Sequence, residues 1–424
     1  MKKAGWPTRM SILLAFLVML CVACADEHGG RQEAVTAGGP APAAPRTGEK
    51  AGSVHIPFRL IDDHIVIAAS VNGTPELDMI LDTGMGSPGV IVLDPEMGKR
   101  LNMKYVARIS LGGGGTEKES RYARVAAGAR LSVAGLEFTG QQVLVLEDSS
   151  VFAGSYADGI IGATLFDRIV DIDYDRCALS FSTGLPAEPS ELGHPFDLRF
   201  TDGIPVITAS VEMAEGQAIP VELLVDTGVN DPLLLFGFSD ERLHPSGETV
   251  EGRERVLSEG LTGRMLGTIC RIPRLKLGPF ELSDVVTALP DEATMGGARR
   301  LGHQGMLGNE VLQRFRVVFD YPSGRMFLQP NKQHARGFEY NTAGLVMSGG
   351  KQCYKVEDVL AGSPAEKQGV RAGDRIVAIN GRPIHQLGGQ EISEIFTRRD
   401  TTIEVTIERQ SERSRKMLPL RRLI

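Results

Sequence analysis

The chain has 424 residues, which exceeds one ordinary domain core and predicts two to four domains. A net charge of −7 argues weakly against nucleic acid as a partner, since no basic surplus is available to neutralise phosphates. Hydrophobic residues make up 42% of the chain, and 50 glycines and 23 prolines with only 6% aromatic residues predict a globular protein with many short strands and turns.

The N-terminus has the pattern of a targeting segment over residues 1–24. Three basic residues flank the start of the apolar run Met10–Ala23, which falls short of the ~20 residues that span a bilayer and is typical of a secretory signal. The run ends in Leu20-Cys21-Val22-Ala23-Cys24, which resembles a bacterial lipobox except that Cys21 stands where Leu is usual. This resemblance implies a lipidated Cys24 and an anchor in the cell envelope facing the periplasm. The alternatives are an ordinary cleaved signal peptide and an uncleaved anchor.

Residues 25–53 are rich in Ala, Gly, Pro and charge, a composition that predicts a flexible tether because it cannot bury a core. From residue 54 onward, short apolar runs alternate with turn signals such as Asn72-Gly73, the pattern of β-strands joined by tight turns.

Two short motifs recur within this strand-rich region. Asp82-Thr83-Gly84 closes one apolar run, and Asp226-Thr227-Gly228 closes another. Gly159-Ile160-Ile161-Gly162 similarly corresponds to Gly305-Met306-Leu307-Gly308. A single Asp-Thr-Gly is a weak signal, but two copies at matching places in a repeated segment are a much stronger one.

The spacing of the repeat indicates a duplication. The offset between matching residues rises slowly, from 138 between Pro57 and Pro195 to 147 between Asp173 and Asp320. Small loop insertions after a duplication would produce such a drift. We therefore predict two β-rich units, one over residues 54–188 and the other over residues 189–332.

The paired motifs resemble those of aspartic proteases over roughly residues 54–332. Each unit looks retropepsin-like, while the presence of both in one chain is similar to pepsins. The resemblance implies a mainly β fold in which two barrel halves form one bilobal unit. It also implies that the catalytic residues are Asp82 and Asp226, with supporting roles for Thr83, Gly84, Thr227 and Gly228.

The residue types suit hydrolysis by an activated water. Two carboxylates about 3 Å apart cannot both ionise easily, so they share one proton near the working pH. One then acts as a base toward water, and the other donates a proton to the scissile carbonyl. The titration belongs to the pair, so neither Asp receives a fixed role. By resemblance, Thr83 and Thr227 hydrogen-bond across the pseudo-twofold axis.

The chain departs from the family pattern at the position after each motif, where Met85 and Val229 offer no hydroxyl. Ser87 or Asn230 would be the nearest substitutes. Glycine-rich segments at 111–119 and 258–264 are the two candidates for a flap, or are ordinary surface hairpins.

Near the C-terminus Ser363-Pro364-Ala365 predicts the start of a short helix, and Ile379-Asn380-Gly381 predicts a strand that runs into an Asn-Gly turn. With these signals the last part of the chain, residues 338–424, resembles an α/β PDZ domain. Its carboxylate-binding loop would be Gly344, Leu345, Val346 and Met347, whose backbone N–H groups would receive the C-terminus of a partner protein as an added strand. The helix near Ile392 would complete the groove. The rival interpretation is a spacer that only packs on the protease unit. Asn331–Arg336 would be a short linker to this domain.

No cofactor or metal is predicted, because the eight histidines lack ligand spacing and the three remaining cysteines form no cluster. A Cys177–Cys270 disulfide is conceivable, although free thiols fit the scattered pattern better. The sequence thus predicts an aspartic endopeptidase acting on peptides or proteins, with a non-catalytic peptide-binding or scaffold protein as the alternative.

Overall fold

A computed structural model describes the protein over residues 54–86, 89–111, 121–148, 155–185, 189–214, 216–244, 255–260, 263–295, 302–349, 353–387 and 389–423, together with the short strand β1 (Ile12–Leu13). Apart from β1, the predicted signal peptide and tether lie outside the described residues. No helix in the described part of the chain is both long and apolar enough to cross a membrane. The predicted mainly β fold is confirmed.

The first half forms one barrel-like sheet of eight strands. Across the sheet they are β3 (Arg59–Ile61), β4 (His64–Val71), β5 (Leu77–Leu81), β10 (Gly159–Ile161), β6 (Val90–Val92), β9 (Leu136–Leu146), β8 (Arg121–Val133) and β7 (Tyr105–Leu111). Additional pairing between β4 and β8 curls the sheet onto itself. The turn between β4 and β5 has positive φ at both Asn72 and Gly73, as the Asn-Gly signal predicts.

The second half repeats this sheet strand for strand. Its order is β14 (Arg199–Thr201), β15 (Ile204–Glu212), β16 (Ala218–Val225), β21 (Gly305–Leu307), β17 (Leu233–Leu235), β20 (Phe280–Pro290), β19 (Gly263–Leu277) and β18 (Arg255–Gly260). Pairing of β15 with β19 corresponds to that of β4 with β8, and β1 pairs with the outer edge of β18. The topology thus has the same internal repeat as the sequence.

A third sheet joins the two halves, each of which contributes three strands. Their order is β13 (His194–Asp197), β23 (Arg325–Pro330), β22 (Phe315–Asp320), β11 (Ile169–Asp173), β12 (Ala178–Ser182) and β2 (Val54–Pro57). At its centre β11 and β22 run antiparallel, with Val170 opposite Phe319 and Ile172 opposite Val317. All four side chains are buried, so the halves share one continuous apolar core.

Helices are few and short in both halves. Asp94 caps the first by accepting a hydrogen bond from the Glu96 N–H. The segment around Leu165 is a 3₁₀ turn. Within the described residues of the two halves, the α-helices are α1 (Pro95–Arg100) and α2 (Asn309–Leu312), and the 3₁₀ turns are Ala163–Asp167, Pro189–Leu192, Gly237–Ser239, Glu241–Leu243, Glu292–Thr294 and Tyr321–Ser323.

The C-terminal domain has a sheet, two helices and an apolar core of its own. Ser363 caps the first helix, and the predicted Asn380-Gly381 turn has positive φ at both residues. Its elements are β24 (Leu345–Gly349), β25 (Tyr354–Val359), α3 (Pro364–Lys367), β26 (Arg375–Ile379), β27 (Arg382–Pro383), a 3₁₀ turn (Ile384–Gln386), α4 (Gly389–Thr397), β28 (Thr401–Arg409) and β29 (Glu412–Leu420). The sheet order is β24, β25, β26, β28, β29, with β27 beside β26.

The segment predicted as a linker, Asn331–Arg336, is anchored to the second half by Arg314. The guanidinium of this buried side chain donates to the carbonyls of Gln333, Arg336 and Gly337 and lies 3.7 Å from the ring centroid of Phe338. The C-terminal domain therefore follows the second half through a fixed turn.

Cys177, Cys270 and Cys353 are free thiols, so the conceivable disulfide between the first two is not formed.

Candidate active site

Each Asp-Thr-Gly loop begins where an apolar strand ends. Asp82 follows β5, and its N–H donates to the Ile161 carbonyl at 3.0 Å; Asp226 follows β16, and its N–H donates to the Leu307 carbonyl at 2.9 Å. The neighbouring strand therefore fixes the first residue of each loop. A glycine starts that strand in the first half because a Cβ at Gly159 would lie 2.3 Å from the Ile91 carbonyl oxygen.

The two loops are joined by hydrogen bonds between their threonines. The N–H of Thr83 donates to Oγ1 of Thr227 at 3.0 Å, and the N–H of Thr227 donates to Oγ1 of Thr83 at 2.9 Å. Each hydroxyl donates in turn to a carbonyl of the opposite half, Val225 for Thr83 and Leu81 for Thr227, both at 2.8 Å. The hydrogen bonds that the resemblance implies across the axis are thus present.

This arrangement brings the two carboxyl groups within hydrogen-bond distance of each other. Backbone N–H groups hold each one: Met85 donates to Asp82 Oδ1 at 3.0 Å, and Gly228 donates to Asp226 Oδ1 at 2.8 Å. The loop glycines lie directly against the opposite acid. A Cβ at Gly84 would lie 2.0 Å from Asp226 Oδ2.

Burial raises the pKa of both acids, because the interior penalises their charged forms, and the pKa of Asp226 is raised further by the nearby charge of Asp82. Asp226 Oδ2 is buried and, within the described residues, has no donor when both acids are ionised. A proton shared between the carboxyl groups gives Asp226 Oδ2 a hydrogen-bond partner and removes the repulsion between the two charges. The pair is therefore suited to carry one proton in the acidic to neutral range.

The position after each motif contributes its backbone rather than its side chain. Met85 and Val229 are both buried, and their N–H groups hydrogen-bond to the carboxyl group of the preceding loop aspartate. Asn230 is buried next to the second loop, whereas Ser87 lies outside the described residues. The missing hydroxyls thus leave two apolar side chains beside the dyad.

Sequence reasoning missed a polar pair next to the second loop. His64 is fully buried, with Nε2 2.9 Å from the Gly228 carbonyl oxygen and Nδ1 2.5 Å from the Tyr156 hydroxyl. The signal was present in the sequence, since the five residues after His64 in its strand are apolar and the repeat places Ile204 at the matching position. Comparing the two halves residue by residue would have singled it out.

Both candidate flap segments adjoin pairs of antiparallel strands. The segment 111–119 begins at the end of β7, and the residues beyond Leu111 lie outside the described part. The segment 258–264 spans the end of β18 and the start of β19, of which 261–262 are likewise outside. The hairpin geometry is present in the second case, and a role as a flap stays a prediction.

Comparisons with known families match two separate parts of the chain. The model of a family described as aspartyl protease matches residues 67–165, which include the first Asp-Thr-Gly loop and Gly159–Gly162. A model described as PDZ domain matches residues 355–409. An aspartyl protease-like domain therefore precedes a PDZ domain.

Among solved structures, the aspartic proteinase from Irpex lacteus is similar over 67% of this chain and 99% of its own, with 14% sequence identity and a TM-score of 0.43. No curated protein is significantly similar to the chain in sequence.

The PDZ loop differs from its predicted state. The Asn341 side chain already accepts hydrogen bonds from the N–H groups of Gly344 at 3.0 Å and Leu345 at 3.4 Å. A terminal carboxylate would reach these two N–H groups only by displacing that amide. Leu345 and Met347 point into the core and Val346 is half-buried, on the edge strand β24. Ile392, predicted to line the groove, is fully buried.

Proposed function

We propose that this protein is an aspartic endopeptidase in which Asp82 and Asp226 share one proton and activate a water molecule. The observation that supports it is the placement of two buried carboxyl groups within hydrogen-bond distance, each on a loop fixed by the other half. A buried acid pair is costly to maintain. Its retention in both halves is explained by catalysis and has no evident value for a scaffold.

In the proposed mechanism, the ionised carboxylate accepts a proton from water as the oxygen attacks the scissile carbonyl. The protonated carboxyl group donates its proton to the carbonyl oxygen, which gives a neutral tetrahedral intermediate. The N–H donors at Met85 and Gly228 keep both groups in place throughout. Collapse of the intermediate requires a proton on the leaving nitrogen, which the newly protonated acid supplies.

The same proposal gives the PDZ domain a peptide as its partner, either a substrate segment or a protein C-terminus. It also places the protein at the bacterial cell envelope, facing the periplasm, with lipidated Cys24 as membrane anchor. Radiolabelled fatty acid incorporated by the wild type and lost in Cys24→Ala would support the anchor; equal labelling of both would exclude Cys24 as the attachment site.

Cleavage of an unfolded protein substrate between pH 3 and pH 8 tests the catalytic proposal. Asp82→Asn and Asp226→Asn should each abolish cleavage, because neither remaining acid can act as both base and proton donor. Asp167→Asn, at an exposed surface ion pair with Arg168, is the matched control and should retain activity. Full activity in either dyad variant would overturn the shared-proton mechanism. No cleavage by the wild type, with peptide binding retained, would instead establish a binding protein.

A further inference from the structure

The loop that carries Asp226 is held by a hydrogen-bonded chain from the other half. The Tyr156 hydroxyl is 2.5 Å from His64 Nδ1, and His64 Nε2 is 2.9 Å from the Gly228 carbonyl oxygen. A carbonyl can only accept, so Nε2 must carry the proton. The neutral ring then uses Nδ1 to accept from tyrosine. Each atom in the chain thus has one defined role.

The chain continues through one peptide group to the catalytic acid. The Gly228 carbonyl and the Val229 N–H belong to the same peptide unit, and that N–H hydrogen-bonds to the Asp226 carboxyl group. Donation by His64 to the carbonyl end polarises the peptide and strengthens the N–H at its other end. The imidazole therefore acts on Asp226 without touching it.

Within the described residues, the loop that carries Asp82 has no such chain. Pairing registers make Ile204 the counterpart of His64, since Val66 lies opposite Ile80 and Val206 lies opposite Leu224. The registers also make Gly305 the counterpart of Gly159. Tyr156 lies three residues before Gly159, so its counterpart is Gly302, three residues before Gly305. The first loop therefore has the aliphatic side chain of Ile204 at the position where the second loop has the hydrogen-bond donor His64.

A second asymmetry supports the turn that carries His64. The Tyr174 hydroxyl donates to Asn309 Oδ1 at 2.5 Å, and Asn309 Nδ2 donates to the Asp63 carbonyl. In the other half the matching residues are Tyr321 and Ala163, and alanine offers no amide. The Tyr321 hydroxyl is buried and has no partner within the described residues. Both polar networks thus support the Asp226 side of the dyad.

On the basis of the proposed proteolytic function, we propose that His64, oriented by Tyr156, is a positioning residue that strengthens the Val229 hydrogen bond to Asp226 and so sets the pH at which the dyad first ionises. Among the described residues, the charged and titratable groups that act electrostatically on this pair are Asp63 on His64 and Asp62, Asp63 and Tyr354 on Tyr156, and the dyad lies across the loop. Burial lowers the pKa of His64 to about 4, against the smaller opposing effects of the Gly228 carbonyl and Asp63. The ring is neutral in the range where the dyad holds one proton.

Three variants and one control test the proposal by kinetics. His64→Phe should reduce kcat by about tenfold with KM little changed, and should move the acidic limb of the kcat profile upward by about half a pH unit or more. His64→Gln, whose amide can donate to the same carbonyl, should keep most of the wild-type kcat and most of the wild-type pH profile. Tyr156→Phe should lie between the wild type and His64→Phe in both respects. Ile204→Val, at the matching site of the other half, should leave the profile in place.

A titration that needs no turnover separates this proposal from the catalytic one. Carbon-13 carboxyl signals of labelled aspartate, assigned with Asp82→Asn and Asp226→Asn, report ionisation of the pair directly. The first ionisation should occur at higher pH in His64→Phe than in the wild type, even if the wild type cleaves nothing. Identical titrations in folded His64→Phe and wild type would overturn the role of His64. Equal changes in the titration of His64→Gln and His64→Phe would show that His64 acts by packing and not through its hydrogen bond.

Discussion

Thr83 and Thr227 each donate a backbone N–H to the hydroxyl of the other, at 3.0 and 2.9 Å, across the boundary between the two halves. Each hydroxyl in turn donates a hydrogen bond to a carbonyl at the end of the opposite strand. Both residues are completely buried. Neither loop therefore has its native geometry without the other half.

Replacement of Thr83 by Val should destabilise the protein through this network. Valine has nearly the same shape but leaves the Thr227 N–H and the Val225 carbonyl unpaired, at roughly 1–3 kcal/mol for each buried group. Urea unfolding of Thr83→Val should show the loss, and Thr208→Val, at an exposed position of β15, should not. A change below about 0.5 kcal/mol, the size typical of surface substitutions, would contradict the tight coupling of the loops.

The dyad should make stability fall as the pH rises. Because burial raises both pKa values in the folded state, the folded protein holds protons that the unfolded chain releases from about pH 4 upward. The stabilisation is complete below that pH and is lost as the pH rises through the raised values. Asparagine at position 226 cannot ionise, so Asp226→Asn should lose less stability than the wild type as the pH rises. The melting temperature of the variant minus that of the wild type should therefore be higher at pH 8 than at pH 4.

Asp240→Asn is the control for that comparison, because the Asp240 pKa is lowered by Arg242 and the sign of the effect reverses. Asp240 is at the surface, so its effect should be small and should not favour the variant at pH 8. A melting temperature difference for Asp226→Asn that is the same at both pH values would show that the dyad titrates normally.

The loop glycines should tolerate no side chain. A Cβ at Gly84 would lie 2.0 Å from Asp226 Oδ2, and one at Gly228 would lie 2.5 Å from Asp82 Cγ. Gly84→Ala must therefore push the carboxyl groups apart, and a displacement of 1 Å at reacting atoms is enough to reduce cleavage by about a hundredfold. Gly184→Ala, which has open space around its Cβ, should cleave like wild type. Undiminished cleavage by Gly84→Ala would show that the acids do not need this spacing.

Arg314 should protect the junction before the PDZ domain from proteolysis. Its guanidinium binds three carbonyls of that segment and stacks on Phe338, so Arg314→Leu should release the turn around Lys332. Trypsin should then cut after Lys332 faster in the variant, as followed by mass spectrometry. Arg413→Leu, which breaks only an exposed ion pair with Glu408, is the control. Equal cutting rates would mean that Arg314 does not hold the junction.

Most of the architecture could be predicted because repetition is visible in one sequence. The Asp-Thr-Gly loops, the glycine-led strands beside them and the Asn-Gly turns all have local causes, namely chain reversal and close backbone approach. The drift in the offset between matching residues then predicts a duplication into two halves. The approach of Asp82 to Asp226 followed from the resemblance, since spacing alone does not bring residues 144 positions apart together.

Contacts specific to one half could not be predicted in the same way. His64 reaches the second loop because β4 of the first half begins beside it, and no local sequence pattern predicts that contact. The Asn341 side chain similarly accepts hydrogen bonds from N–H groups that a PDZ loop would leave free to bind a carboxylate. The His64 contact spans 164 positions, whereas the Asn341 contacts span three and four, and in both cases the folded arrangement reveals which backbone group the polar side chain pairs with.

The sheet shared by the two halves has a consequence for the behaviour of the protein at low abundance. A protease built from two separate subunits dissociates on dilution, and its specific activity then falls with concentration. Here three strands from each half form one sheet inside a single chain, so the second half is always present at a high effective concentration. One chain therefore carries both loops of the proposed dyad, and under the proposed function its specific activity should not fall on dilution.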